Sequence, residues 1–256
     1  MKIITILTLK TNYIWVIYNQ LNECIIVDPG EFVQVLKILN KLKLILKAIL
    51  LTHNHHDHIN GIYELIKHFP NVQIYGPIDI LNTGTKLVTV SDKDEFFLLN
   101  KKVMVIGLPG HTLNHIGFYY NSWLFTGDTL FSAGCGKVQT GLIRHMYQSF
   151  LKIQCFPENT ELYPGHEYTL SNLNFALSIL PEDPEIVKYN KKITTLHRRQ
   201  QRIFAPMTLA LELKINLFFR CNNNNKNLKY ALNCFPKTGK EWKIFRNLRN
   251  KKDLYP

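Results

Sequence analysis

Four histidines and an aspartate fall within Thr52-His53-Asn54-His55-His56-Asp57-His58, directly after the apolar run Ala48-Ile49-Leu50-Leu51. Neutral imidazole and carboxylate are the side chains that suit zinc, manganese and ferrous iron. His53, His55 and Asp57 are spaced two apart, and His58 follows directly. If the segment leaves a strand extended and then turns into a helix, the first two imidazoles point one way while Asp57 and His58 swing to a neighbouring position. One short loop can then serve two ions, more than a mononuclear site would need. It supplies at most two ligands per metal, so others must come from elsewhere. Three candidates follow apolar runs and sit beside glycine: His111 in GLPGHTLNH, Asp128 in LFTGD and His166 in YPGHEY. A single histidine of this kind is ordinarily a satisfied surface or core residue. Three such residues at strand ends, with the opening cluster, reverse that weighing.

In this order, His-x-His-x-Asp-His after a strand, Gly-His-Thr, Thr-Gly-Asp and Gly-His resemble the metallo-β-lactamase superfamily. Within it, FTGDTLFSAGCGK (125–137), YPGHEYT (163–169) and the helical C-terminal part resemble the hydroxyacylglutathione hydrolase, or glyoxalase II, family. The resemblance runs over nearly the whole chain, from TNYIWVI with IIVDPG to RNKKD. It implies an α/β fold, an αββα metallo-β-lactamase sandwich over residues 1–170, followed by a small all-helical substrate-binding domain over 171–256. Carried over residue by residue, it implies that His53, His55 and His111 bind a first metal. Asp57, His58 and His166 bind a second, and Asp128 bridges the two. Asp57 and Asp128 thus serve catalysis as ligands, without a separate acid or base duty. The cofactor implied is a pair of divalent cations, zinc first, with iron or manganese also accommodated by these ligands.

The activity implied is hydrolysis of S-(R)-lactoylglutathione and related hydroxyacylglutathiones to glutathione and D-lactate. The nucleophile would be a hydroxide bridging the two ions, whose water has its pKa lowered toward ~7. A metal would stabilise the charge that appears on the carbonyl oxygen, and thiolate would leave without a strong acid. Glutathione carries two carboxylates; the resemblance assigns Arg249 and Lys252 to its glycine end, with Lys137 and Tyr168 completing the pocket. Gln139 departs from the pattern, standing where the family often has a tyrosine that helps seat the glutathione backbone. Two relatives of other function compete with this reading. A nucleic-acid-processing phosphodiesterase would use the same metals, but no aromatic-interleaved basic groove is legible. A mononuclear iron dioxygenase acting on glutathione persulfide would not need His58 and a full second ligand set. A non-catalytic module is disfavoured because every ligand position is filled. His56, His68, His115, His145 and His197 have no ligand role in the family; His56 is expected at the surface and His115 as an orienting neighbour.

The elements that must carry these residues are legible in outline. YIWVIY (13–18), CIIVDPG (24–30) and KAILLT (47–52) read as strands, as do VQIYG (72–76), KLVTV (86–90), KVMVIGL (102–108), IGFYY (116–120) and SWLFTGD (122–128). FVQVLKILNKLKL (32–44) has helical spacing, and 59–69 reads as a second short helix. After residue 170 helical signals replace strands. Asp183-Pro184 starts a helix of about five turns ending near Phe204-Ala205-Pro206. TLALELKI (208–215) reads as another, and Thr238 with Glu241 forms a capping-box pattern ahead of the stripe Trp242, Phe245, Leu248. CNNNNKN (221–227) reads as a mobile loop.

The formal charge of +12 lies entirely in the C-terminal quarter, where residues 191–256 hold 16 Lys+Arg against 3 Asp+Glu. Such a segment fits an anionic partner, whether nucleic acid, a membrane surface or a small acidic substrate, or else is simply a solvated face. The partner expected here is the small glutathione thioester, with no nucleic acid and no membrane, in a monomer or weak oligomer. The five cysteines are odd in number and form no Cys-x-x-Cys pair, so neither a disulfide framework nor a thiolate zinc site is indicated. No apolar run approaches the ~20 residues that span a bilayer, and MKIITILTLKTNY reads as a first strand rather than a signal peptide. A cytoplasmic location is therefore expected.

Overall fold

A computed structural model describes residues 1–80, 87–199, 206–222 and 224–256. They form two compact units, one of residues 1–108 and 114–127, the other of 109–113 and 128–256.

In the first unit the strands are β1 (Lys2–Thr8), β2 (Asn12–Tyr18), β3 (Glu23–Val27), β4 (Ile45–Leu50), β5 (Gln73–Gly76), β6 (Leu87–Thr89), β7 (Glu95–Leu98), β8 (Lys101–Gly107), β9 (Ile116–Tyr120) and β10 (Trp123–Gly127). Helix α1 (Phe32–Leu42) joins β3 to β4, and α2 (His56–Ile59) with α3 (Ile62–His68) joins β4 to β5. One sheet runs in the order β1-β2-β3-β4-β5-β6. Its first three strands are antiparallel and β3 to β6 are parallel. In a second sheet β7, β8, β9 and β10 are successive antiparallel neighbours.

β2 reads as an unbroken apolar run because both of its faces are covered. Ile14 and Val16 pack in one cluster with Val35 and Leu39 of α1 and Ile62 and Leu65 of α3. Tyr13, Trp15 and Ile17 alternate with them and are buried on the opposite face. Tyr75 of β5 stacks on Phe96 of β7 at 4.2 Å, a contact that lies across the two sheets. The first unit is therefore layered as helix, sheet, sheet. Because β3 and β4 are parallel neighbours, the loops leaving their carboxyl ends, which hold Asp28 and residues 51–58, emerge side by side. Gly30 permits that proximity: a Cβ there would collide with the carbonyl of Asp57.

The second unit contains the hairpin β11 (Leu130–Phe131) and β12 (Gly134–Cys135), helix α4 (Ile143–Gln154), β13 (Glu161–Pro164), α5 (Thr169–Ile179), α6 (Pro184–Arg198), β14 (Met207–Thr208), α7 (Leu209–Ile215), α8 (Lys226–Ala231) and α9 (Trp242–Asp253). α6 starts as expected, with Asp183 Oδ1 accepting the Ile186 N–H at 3.2 Å and Pro184 in the first turn. Its expected end at Phe204-Ala205 lies outside the described residues. α9 buries Ile244, Phe245 and Leu248, and Phe245 meets Phe150 and Phe218 at 5.2 and 5.0 Å.

Several expectations are corrected. The short helix expected over 59–69 is present as α3, Ile62–His68, but it starts later than expected, and Ile59 instead ends the preceding α2. β7 and α4 carry no strong sequence signal and were not anticipated. The C-terminal part is not wholly helical, because β14 pairs with β13 through Leu162↔Met207. In CNNNNKN, where described, Asn222 Oδ1 accepts from the N–H groups of Asn224 and Asn225, and Asn225 caps α8 through Leu228 N–H at 3.1 Å. Asparagine competes for backbone donors, so the run builds a turn and a cap. The Thr238 capping box does not form. A turn with Gly239 at φ +82° precedes α9, and Glu241 itself is the capping residue, accepting the Gly239 N–H at 3.0 Å.

Asp183 combines its cap with an ion pair to Arg220 at 2.7 Å. Asp183→Ala should lower unfolding free energy by about 1–2 kcal/mol. Urea titration of both proteins checks this; a loss of under about 0.5 kcal/mol would remove the cap from the list of determinants.

Candidate metal centre

Each unit contributes one set of donors. In the first, the chain leaves β4 extended through Thr52 to His55 and turns into α2 at His56. This is the strand, loop and short helix anticipated for the cluster. His53 is fully buried and His55 exposed, and His53 Nε2 stands 3.1 Å from His55 Nδ1. His58 is buried and its Nε2 lies 3.8 Å from Asp57 Oδ2. Asn12 Nδ2 donates to Asp57 Oδ2 at 2.8 Å and so fixes that carboxylate.

Asp28 was not singled out from the sequence, yet it organises this set. It is buried, at φ +51°, just past β3. Its Oδ1 accepts the Thr52 N–H at 2.8 Å, and its Oδ2 accepts the Thr52 hydroxyl at 2.7 Å and faces His58 Nδ1 at 3.0 Å. Asp28, His53 and His58 each bring a donor atom within 4.8 Å of the others, a grouping that could itself hold an ion. The carboxylate is occupied by Thr52 and by the Nδ1 side of His58, which makes it an orienting partner. It leaves His58 Nε2 as the nitrogen that could serve an ion, the arrangement that fixes imidazole tautomers in metal sites. Thr52 Oγ1 similarly faces His53 Nδ1 at 2.9 Å. His115, also buried, stacks on His53 at 4.8 Å, the orienting contact expected of it. His56 is exposed, also as expected.

In the second unit His111, Asp128 and His166 come together. Asp128 Oδ2 is 3.4 Å from His111 Nε2 and 3.4 Å from His166 Nε2. Both separations exceed an ordinary N–H···O bond of about 2.7–3.2 Å. They match the ~3.3 Å between ligand atoms on one tetrahedral cation with bonds of about 2.0–2.1 Å. The 3.1 Å between His53 and His55 is of the same order. His111 Nδ1 faces the Lys137 carbonyl at 2.8 Å, which turns its Nε2 toward Asp128. Gly136 is required here, since a Cβ would overlap the Asp128 carbonyl. His166 stacks on Tyr168 at 5.0 Å, and Phe131 stands edge-on to both. By donor chemistry and spacing, each set fits a hard-to-borderline divalent cation.

The expected substrate binders are disposed unequally. Lys137 and Tyr168 are exposed. Arg249 is buried on α9, donating from Nη1 to the Cys135 carbonyl at 2.7 Å and pairing with Asp253 at 3.0 Å. Lys252 lies over the rings of Phe175 and Tyr255, at 5.1 and 5.3 Å, with Ser171 Oγ at 3.4 Å. Partial burial, and then the neighbouring Arg249 charge, push its ammonium down to about 8. The Gln139 side chain is exposed, while its N–H donates to the Gly110 carbonyl at 2.9 Å. Cys135 is a packing residue: buried, with its thiol pushed up to about 12 by burial.

Comparison with known proteins places this geometry. Residues 7–166 match the metallo-beta-lactamase superfamily, and residues 167–255 match the hydroxyacylglutathione hydrolase C-terminus. A hydroxyacylglutathione hydrolase of Blochmanniella pennsylvanica is 54% identical over 255 residues, covering 100% of both chains. One of Pectobacterium atrosepticum is 44% identical, again over 100% of both. Among solved structures, ETHE1 from Myxococcus xanthus shares the fold with a TM-score of 0.67 at 20% identity, over 98% of this chain and 100% of that one. A metallo-β-lactamase domain followed by a largely helical C-terminal region is thus the fold class, as the resemblance implied. The chain belongs to the hydroxyacylglutathione hydrolase family of the metallo-beta-lactamase superfamily.

Proposed function

We propose that this enzyme hydrolyses S-(R)-lactoylglutathione and related hydroxyacylglutathiones to glutathione and D-lactate at a pair of divalent cations, zinc, iron or manganese. His53, His55 and His111 are assigned to one cation, Asp57, His58 and His166 to the other, and Asp128 to both. Residues 1–170 form the catalytic part and 171–256 the helical part that binds glutathione. The observation that carries the reading is the placement of one Asp128 oxygen at equal distance from two imidazole nitrogens, in a chain whose full-length relatives are hydroxyacylglutathione hydrolases. The phosphodiesterase and dioxygenase readings gain no support from those relatives. Metal quantitation and thioester turnover on one sample, with a phosphodiester panel alongside, test it; preference for phosphodiesters would refute it.

When bound, the cations supply a water acidified toward neutrality and polarise the substrate carbonyl. The chain's own residues prepare that chemistry. Asp28 and the Lys137 carbonyl hold the Nδ1 sides of His58 and His111, so that each presents Nε2. Asn12 holds Asp57. Thiolate is a tolerable leaving group, so no residue is assigned as general acid. Lys252 and Arg249 receive the carboxylate at the glycine end, with Lys137 and Tyr168 along the peptide. A cytosolic site of action accords with five free thiols.

Asp128→Ala should lose both bound metal and turnover; a variant that keeps two metals and full activity would refute the shared-ligand assignment. Asp28→Asn puts an amide donor against the Thr52 donors and His58, and should weaken metal affinity by about 10–100-fold, measured by competition with a chelator. Lys252→Ala should raise KM for the thioester with little change in kcat, the pattern of uniform binding. Because the folded-state value of Lys252 is lowered, its charge is present below about pH 8 and lost above it. KM should therefore rise as pH passes upward through about 8 in the native enzyme and stay flat there in the variant.

A further inference from the structure

A second buried carboxylate stands apart from the metal ligands. Glu212 of α7 is fully buried, and burial pushes its carboxyl up to about 7. The β11–β12 hairpin turns at Ser132-Ala133, with Ala133 at φ +53°. Glu212 Oε2 accepts the Ala133 N–H at 2.9 Å and Oε1 the Ser132 hydroxyl at 3.1 Å. Asn216, one turn along α7, donates to Glu212 at 2.9 Å and also to the carbonyls of Gly134 at 3.0 Å and Phe131 at 3.3 Å. Asn172 of α5 donates to the Ser132 carbonyl at 3.0 Å. The hairpin tip is thus held by side chains from α5 and from α7 and its C-terminal end.

The base of the same hairpin carries the site. Asp128 lies two residues before β11, and Gly136 N–H closes the base onto the Thr129 carbonyl at 3.2 Å. Past β12, the Cys135 carbonyl receives Arg249 and the Lys137 carbonyl orients His111. We infer that Glu212 is a positioning residue: by fixing the hairpin tip it sets where Asp128 and the Lys137 carbonyl stand at the base. All of the groups around its carboxylate donate, so a carboxylate serves where an amide, with one donor end, cannot. This inference rests on the metal site proposed above.

The test compares metal release to a chelator, kcat and thermal unfolding in three proteins: native, Glu212→Gln, and Leu39→Ala as a core truncation on α1. At a temperature where circular dichroism shows each chain folded, Glu212→Gln should release metal about tenfold faster and turn over about tenfold more slowly. Leu39→Ala should match the native enzyme in both while unfolding at lower temperature. Native-like release and kcat in folded Glu212→Gln would overturn the assignment and leave Glu212 a stability residue. If Glu212→Gln does not fold, Ser132→Ala, which removes one donor to the same carboxylate, is judged by the same two readouts. The metal content of the native enzyme reads the site independently: a metal-free native enzyme refutes the site itself, whereas a metal-loaded one with an indifferent variant refutes only the role of Glu212.

Discussion

A carboxylate taken out of water persists only where donors replace the solvent it has lost. Asp28 meets that condition, and much of the first unit depends on it. Its donors come from Thr52 and face His58, residues 24 and 30 positions away, so its requirement can be met only when β3 and β4 lie side by side in parallel. The same contacts decide which nitrogen of His58 faces outward. Fold and ligand geometry are in this sense one constraint: the register of two buried strands selects a tautomer. Gly30 belongs to it as well, since no other residue lets the turn after Asp28 approach Asp57.

The second unit solves the same problem with main-chain carbonyls and a hairpin. His111 is oriented by the carbonyl of Lys137, whose place follows from the short β11–β12 ribbon. A two-residue ribbon has little stability of its own. Amides and a carboxylate from α5 and α7 supply what the ladder lacks. Side chains of the helical part thus complete the segment that bears Asp128.

The candidate ligands were legible because their types are chemically restricted and their spacing is local. The cluster at 53–58, His111, Asp128 and His166 could each be read from a few neighbouring residues. Asp28, Asn12 and Glu212 could not, because their partners are distant in sequence and an acid beside Pro-Gly or an acid in a helix has many ordinary uses. Local chemistry misled in the C-terminal part for the same reason. Thr238 and Glu241 have capping-box spacing, yet the turn at Gly239 moves the helix start past Thr238. The asparagine run looked structureless by composition, while its side chains act individually on nearby N–H groups.

The basic C-terminal quarter is best understood residue by residue. Arg220 is committed to Asp183, and Arg144 and Arg246 lie over Trp242 at 4.3 and 5.3 Å. Arg249 is buried against a carbonyl and an aspartate, where the rigid fork of guanidinium suits two acceptors at once. Lys252 differs in kind. Packed over two rings and beside Arg249, its ammonium is held at a cost that burial and then the Arg249 charge impose. A carboxylate brought beside it would offset that cost and extend the charged form to higher pH. The depressed ammonium is therefore a local reason for affinity toward a small carboxylate, independent of the net charge of the segment. The large formal charge of the segment is a separate matter: the lowered ammonium follows from packing around one lysine.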